Sequence, residues 1–336
     1  MHCQGFFLEL YYQGSGTKRN PFLKGSVAMK SKLKRFRILS LVLALVFVVG
    51  MLAGCQKAPE SKAVTITDMT GREITLEEPA TRVVALSAAD CEVLFAVGAG
   101  DTLVGRGEYC DYPAEVLNVP SVESGYETNI EQIIELKPQV LLMSTMAQTE
   151  EQVKALEDAG IKVVVSDAQD IEGVYQSITM IGQLMGKSAE AEKVIENMKA
   201  TFKEVADNPA LSGKSVYFEV SPLEWGLWTA GKGTFMNEIA EMMGLKNCFD
   251  DVTGWGEISE EQVLERNPDI IVTISMYYGE GPTPVEEIAS RSGWENVTAV
   301  KDNMILNLAN NELSRPAPRL AEGAKMLYDF VSGASK

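Results

Sequence analysis

A fourteen-residue pattern occurs twice in this chain: Asn129 to Leu142 aligns without gaps to Ser259 to Val272. In each copy a capping residue, Asn129 or Ser259, is followed three residues later by Gln132 or Gln262, the spacing of a capping box. Pro138 or Pro268 then stops the helix before an apolar, strand-like run. One such unit describes only its own helix. Two in corresponding places argue for two lobes of related topology, and two lobes leave a cleft between them.

Around the two copies, short apolar runs alternate with amphipathic stretches. Arg82 to Ser87 reads as a strand, and the helical stretch after it, with Val93, Leu94, Phe95 and Val97, ends at Gly98. Further strand runs lie at 139–143, 162–165, 215–220, 269–275 and 304–308. Strands alternating with helices predict α/β lobes with parallel sheets. Val64 to Thr67 and Glu73 to Leu76 alternate apolar and polar residues around a turn and read as a hairpin. From Ile171 to Ala206 there is no proline and apolar residues recur at helical spacing. That pattern predicts one long helix whose weak point is Gly186. The expected plan is an N-terminal lobe over 64–170, a bridging helix over 171–206 and a C-terminal lobe over 207–336.

The region before the hairpin has a different character. Lys30 to Arg37 supply five positive charges, Ile38 to Met51 are almost wholly apolar, and Leu52-Ala53-Gly54-Cys55 follows at once. That order is similar to a bacterial lipoprotein signal, with an apolar run shorter than the roughly 20 residues of a membrane span. The similarity implies cleavage of 29–54 and a Cys55 that carries lipid on its sulfur, so that 55–63 serves as anchor and tether. The alternative is a single-pass helix with Cys55 as an ordinary thiol. Residues 1–28 show no sustained periodicity and precede a complete signal, so translation is expected to start at Met29. The protein then works outside the cytoplasmic membrane, attached to it through lipid.

Without residues 1–54 the chain keeps 22 basic and 46 acidic residues, a balance of −24. Such a surface disfavours nucleic acid as a partner. The only histidine, His2, lies in the same leading segment. A chain without histidine cannot build a Ser-His-Asp or Cys-His nucleophile or an imidazole metal site, and no resident metal or cofactor is expected. Cys91, Cys110 and Cys248 are odd in number and widely spaced, which implies no disulfide framework. Cys91 and Cys110 both follow early strands, so a bridge between them stands beside the default of buried free thiols.

Trp225, Trp228 and Trp255 sit among Gly, Pro, Thr and Glu, as do Tyr109 and Tyr112, with Tyr277 and Tyr278 after another strand. Flat, amphipathic side chains on loops suit a large planar ligand, although each alone also fits packing under a loop. Arg315-Pro316-Ala317-Pro318-Arg319 opens the last helix, where cations oppose the dipole and need an anionic partner. That partner is a ligand or an acidic residue of the protein, the second favoured for Arg319. Gly226 to Gly233 has the glycine and lysine spacing of a P-loop but Gly233 where the hydroxyl residue belongs, so it reads as a turn opening a helix at Thr234. Glu219, Glu224 and Asp251 near loop ends keep a carboxylate-based, chelatase-like enzyme as the different-class alternative.

The run from Arg82 to Gly105, the Tyr109 to Pro113 segment, the two repeated Glu-Gln units and the Arg315 to Arg319 motif together resemble the ferric-chelate and cobalamin class of ABC-importer substrate-binding proteins. The resemblance spans nearly the whole chain past the leading segment. It implies two Rossmann-like lobes joined by a single long helix, with the ligand between strand C-terminal ends. It implies cleft positions for Tyr109, Trp255 and Arg315, joined here by Tyr126, Trp225, Trp228 and Tyr277 as the ligand-binding set. It also implies that Glu131 and Glu261 dock onto the permease dimer, which works with its ATPase. Their alternative role is to complement helix dipoles. A ferric siderophore stands first among ligands, because the chelate satisfies its own iron. Cobalamin stands second, because some of its binders place Trp after the strand ending here at Met143-Ser144 and another where this chain has Gly125. Haem stands third, since Tyr109, Tyr126 or Tyr277 would have to serve as its axial ligand.

Overall fold

A computed structural model describes residues 63–124, 128–145, 149–207 and 213–333. The leading segment, Cys55 and Tyr126 lie outside the described residues. Val64–Thr67 (β1) and Glu73–Leu76 (β2) pair antiparallel, with the Asp68 carboxylate accepting from the backbone N–H of Thr70 and Arg72 in the turn. There follow Val83–Ala85 (β3), Ala88–Ala96 (α1), Leu103–Gly107 (β4), Ser121–Val122 (β5), Ile130–Glu135 (α2), Val140–Met143 (β6), Glu150–Asp158 (α3) and Lys162–Val165 (β7). The five strands from β3 onward form a parallel sheet in the order β5-β4-β3-β6-β7.

Two helices lead out of this lobe, Ile171–Leu184 (α4) and Ser188–Asp207 (α5). The single helix expected over 171–206 is therefore broken, and it breaks at Gly186. That glycine has φ +66°, the left-handed conformation that ends helices and that glycine adopts without steric cost. The chain then folds back closely enough that a Cβ on Gly182 would lie 2.4 Å from the Ala191 Cβ. Helix α4 packs on β1 and α1 within the first lobe. The long connecting helix is α5 alone, 20 residues and hence about 30 Å long.

The second lobe contains Ser215–Ser221 (β8), Trp228–Ala230 (β9), Phe235–Met242 (α6), Lys246–Asn247 (β10), Trp255–Glu257 (β11), Glu260–Arg266 (α7), Ile270–Thr273 (β12), Pro284–Ser290 (α8), Thr298–Lys301 (α9), Ile305–Asn307 (β13) and Leu320–Ser332 (α10). Its sheet runs β11-β9-β8-β12-β13, with β10 beside β8. Strands β8, β12 and β13 are parallel, whereas β9 is antiparallel to both β8 and β11.

The repeat accounts for the shared half of the two sheets. Strand β6 lies between β3 and β7, and β12 lies between β8 and β13. Asn129 and Ser259 both cap their helices through a side-chain oxygen. Lys137 and Asn267, each before its proline, both take left-handed φ, 50° and 46°. The copies differ at the glutamine. Gln262 completes its capping box with the Ser259 N–H, whereas Gln132 donates to the Ser121 carbonyl and accepts from the Glu123 N–H. The short strand β5 thus takes Gln132 away from its helix.

Alternation along the strands sorts the core into layers. Ile133 of α2 packs with Val84 and Leu141, and Val263 of α7 packs with Tyr217 and Ile271, each on the outer face of its own sheet. The intervening residues, Val83, Ala85, Val140 and Leu142 on one side and Val216, Phe218, Ile270 and Val272 on the other, belong to one continuous core with α1, α4, α5, α6 and α10. Both lobes lie in one compact unit.

Candidate functional site

A cavity of about 890 Å³ opens at the C-terminal ends of β8 and β12. Its first wall exists because β8 does not cross over to another parallel strand. The chain turns at Pro222, makes a 3₁₀ turn over Leu223–Trp225, passes Gly226 at φ 88° and returns as the antiparallel β9. The turn leaves the Trp225 ring 77% exposed at the cavity rim. The second wall is the long loop after β12. Tyr277 donates there to the Gly281 carbonyl at 3.3 Å and Tyr278 to the Met276 sulfur at 3.3 Å. Thr283, Pro284 and Glu286 end the loop as a complete capping box that starts α8.

The lining is aromatic and acidic. Trp225, Tyr277 and Tyr278 supply flat surface, Glu224, Glu280 and Glu287 supply carboxylates, and no lysine or arginine lines the cavity among the described residues. The nearest guanidinium lies beneath the surface. Arg291, buried, forks onto the buried Glu219 with contacts of 2.7 and 3.0 Å and also holds Glu287 at 2.6 Å. It lies over the Trp294 ring, 4.5 Å from the centroid. Burial pushes the Glu219 carboxyl up from its ordinary range, and the Arg291 pair opposes that shift. One cation answers two carboxylates, so the cavity floor stays negative. Among the carboxylates that could serve an enzyme, Glu219 is thus committed to Arg291, and Asp251 is held by Arg266 at 2.5 and 2.9 Å.

Of the two partners open to Arg315, a ligand or an acidic residue, the protein supplies the second. Its guanidinium reaches into the first lobe, donating to Glu92 at 3.1 Å, to Asp111 at 2.6 Å and to the Tyr109 carbonyl at 3.0 Å. Arg319 takes both oxygens of the same Glu92 at 2.9 and 2.7 Å and stacks over Tyr112, 3.9 Å from its centroid. The anionic partner that these two arginines require is therefore a pair of carboxylates of the protein. Glu92 carried a signal of its own: it is the one glutamate in the otherwise mostly apolar run Ala88 to Ala96, and a charge buried there must be paired.

The aromatic set divides in the same way. Trp225 and Tyr277 share the cavity, and Tyr109, 75% exposed, stands on the first lobe at the Arg315 contact. Trp255 is half-buried, edge-on to Phe235 at 5.3 Å, and donates through Nε1 to Gln169 of the first lobe at 2.9 Å. Trp228 lies on β9 opposite Glu257 of β11 and does not line the cavity. Gly226 and Gly233, the outer glycines of the P-loop-like stretch, bracket β9 at left-handed φ, and Thr234 caps α6. Glu131 and Glu261 are both exposed at the second position of their matched helices. Burial sharpens the sequence reading of the three cysteines: Cys91 and Cys110 are buried thiols in the first lobe, and Cys248 is partly buried in the second.

Comparison with known proteins bears on this architecture directly. The model of the periplasmic binding protein family matches residues 83–311, which takes in both sheets and the cavity. The chain belongs to that family. It is 34% identical over 306 residues to an uncharacterized ABC transporter substrate-binding lipoprotein of Bacillus subtilis, covering 86% of this chain and 95% of the relative. It is 30% identical over 260 residues to a vitamin B12-binding protein of Salmonella choleraesuis, covering 75% and 91%. A solved structure from Staphylococcus epidermidis, described as a possible iron-binding, periplasmic solute-binding protein, superposes with a TM-score of 0.63 at 33% identity, covering 76% of this chain and 99% of that one. The protein is thus an extracytoplasmic substrate-binding component of an ABC importer, with the two-lobed α/β fold that the resemblance implied.

Proposed function

We propose that the protein captures a bulky, flat metal chelate that is uncharged or cationic, a corrinoid of the cobalamin type, and delivers it to its permease. The observation that carries this reading is the lining of the cavity, three aromatic rings and three carboxylates with no cation among the described residues. Ionised carboxylates only accept hydrogen bonds, so they suit the peripheral amide N–H groups of a corrin and repel the carboxylates of a haem. The vitamin B12-binding relative supports the same choice. With Arg315 engaged by Glu92 and Asp111, an anionic ferric siderophore loses the cation expected to meet it. A neutral or cationic ferric chelate is the second reading, favoured by the iron-binding description of the Staphylococcus neighbour.

In this proposal Trp225 and Tyr277 contact the ligand, Tyr109 meets it from the first lobe, and Trp255, Trp228 and Arg315 hold the walls in place. Residues 29–54 act as a lipoprotein signal and Cys55 as the anchor. Glu131 and Glu261 are the docking carboxylates. Support for symmetric docking comes from their equivalent, exposed positions in the two repeat copies. Tryptophan fluorescence of residues 56–336, titrated with cobalamin, cobinamide, neutral and anionic ferric siderophores and haemin, tests the reading. Saturable quenching by the corrinoids that is weakened in Trp225→Phe is expected. Tight binding of the anionic siderophore alone would overturn it.

A further inference from the structure

Cys91 and Cys110 lie on different elements, one in the second turn of α1 and the other three residues past β4. Their sulfurs nevertheless converge, each 3.8 Å from the carbonyl oxygen of Ala85. Both thiols are fully buried. A hydrogen bond with the Cys110 thiol is the largest cause holding the Cys91 thiol well above its ordinary pKa, with burial second. Cys248 sits in the other lobe beside Arg266 and Asp251, its pKa pushed up to about 12 chiefly by burial.

We propose that Cys91 and Cys110 form a disulfide in the exported protein and that this bond braces the socket of Arg315. The socket has two halves: Glu92 follows Cys91 on α1, while Tyr109 and Asp111 flank Cys110 on the loop. All three grip one guanidinium. A covalent link between residues 91 and 110 fixes the halves relative to each other and ties the exposed Tyr109 to the core.

The chemistry is thiol–disulfide exchange with an external disulfide oxidant, the condition of oxidising compartments. The Cys110 thiolate, on the loop, attacks one sulfur of the oxidant and forms a mixed disulfide, releasing the other half as a thiolate. Cys91, deprotonated, then attacks the Cys110 sulfur, forms the internal bond and releases the second half. Two protein thiols are oxidised, one external disulfide is reduced to two thiols, and the cysteine protons go to those thiols. A buried Cys91 with a raised pKa is a poor nucleophile in the folded state, so closure belongs to folding after export.

The test begins with the full chain, exported by a bacterium, whose envelope fraction is dissolved in denaturant with excess N-ethylmaleimide and no reductant. Peptide mass mapping should find the Cys91 and Cys110 peptides joined and unlabelled, and Cys248 labelled. Cys91 and Cys110 both labelled, or either joined to Cys248, would overturn the proposal. Purified protein unfolded and refolded with oxidised glutathione should show a Tm on the order of 5 °C above that of the same protein refolded with excess reductant. Cys248→Ser should keep that rise, while Cys91→Ser and Cys110→Ser should lose it. Equal Tm values for oxidised and reduced wild type would remove the bracing role.

Discussion

The two lobes share one half of their sheets and differ in the other. Strands β3, β6 and β7 have the arrangement of β8, β12 and β13, and the repeated helix sits on the outer face of each. Beyond β3 the first lobe continues with parallel strands, while beyond β8 the second reverses into antiparallel ones. The connection after β6 takes six residues to reach α3, and the one after β12 takes ten to reach α8. The repeated half builds the frame. The unrepeated half, with its tight turn at Trp225 and its longer loop, makes the cavity.

The lobes also differ in how they handle a buried acid, and this sets the largest expected effect. In the second lobe Glu219 is paired with Arg291. Arg291→Met should lower unfolding stability by about 3–5 kcal/mol in urea, because it strands a buried carboxylate. A loss below about 1 kcal/mol would mean that Glu219 is neutral in the wild type.

In the first lobe Asp90 is buried and its Oδ2 has no hydrogen-bond partner among the described residues. Burial, with a smaller push from Asp167 and against a hydrogen bond from Ser166, raises its pKa to about 7. Unfolded, the group titrates near about 3.9. Below that value both states are protonated. Between there and about 7 only the native state holds the proton, so wild-type stability falls as pH rises through the window. Asp90→Asn should match wild type near the acid end and exceed it above neutrality by up to roughly 4 kcal/mol. A difference that does not change with pH would show that Asp90 titrates in the folded protein as it does in the unfolded chain.

Where the lobes meet, Arg315→Ala removes one of two arginines from Glu92 and should cost about 1.5–3 kcal/mol of stability. Chelate affinity should change little. A selective loss of anionic chelates would return Arg315 to the binding site. Inside the cavity Glu224→Gln together with Glu280→Gln should weaken a cationic chelate relative to a neutral one by about 1 kcal/mol, read by paired titrations.

The smallest effect on stability tests the symmetry of the repeat. Glu131→Ala with Glu261→Ala should cost roughly 0.3–1 kcal/mol per site through the helix dipoles, leave ligand affinity unchanged and abolish uptake. Normal uptake by the double variant would reject docking through these residues.

The repeated half was legible because its chemistry is local. Asn129 and Ser259 cap helices a few residues away, and prolines end them. Gln132 was misread because its partners come from β5 and the residue just after it, outside the helix. Gly186 was correctly singled out, but the length of the break depends on how α4 and α5 pack, which periodicity does not encode. Arg315 was illegible for the same reason on a larger scale: Glu92 and Asp111 are 223 and 204 residues away in sequence. Trp225 and Trp228 looked alike in a glycine-rich stretch, and only the antiparallel return of β9 puts one at the cavity and the other within the sheet, between β8 and β11.

The continuous core through both lobes has a mechanical consequence. Swinging the lobes shut or open by a large angle would have to shear apart side chains such as Val83, Phe218, Ile178 and Leu327, buried in one mass, at about 1.5–3 kcal/mol for each one exposed. The continuous core therefore predicts that the empty and loaded molecules share nearly one shape, which solution scattering with and without ligand would check. On that expectation, capture is a single diffusive encounter with an open mouth, and the lifetime of the complex is set by its contacts. A stiff receptor of this kind cannot let go by relaxing. Work that separates the lobes enough to free the cargo has to arrive from outside, through the transporter on which it sits.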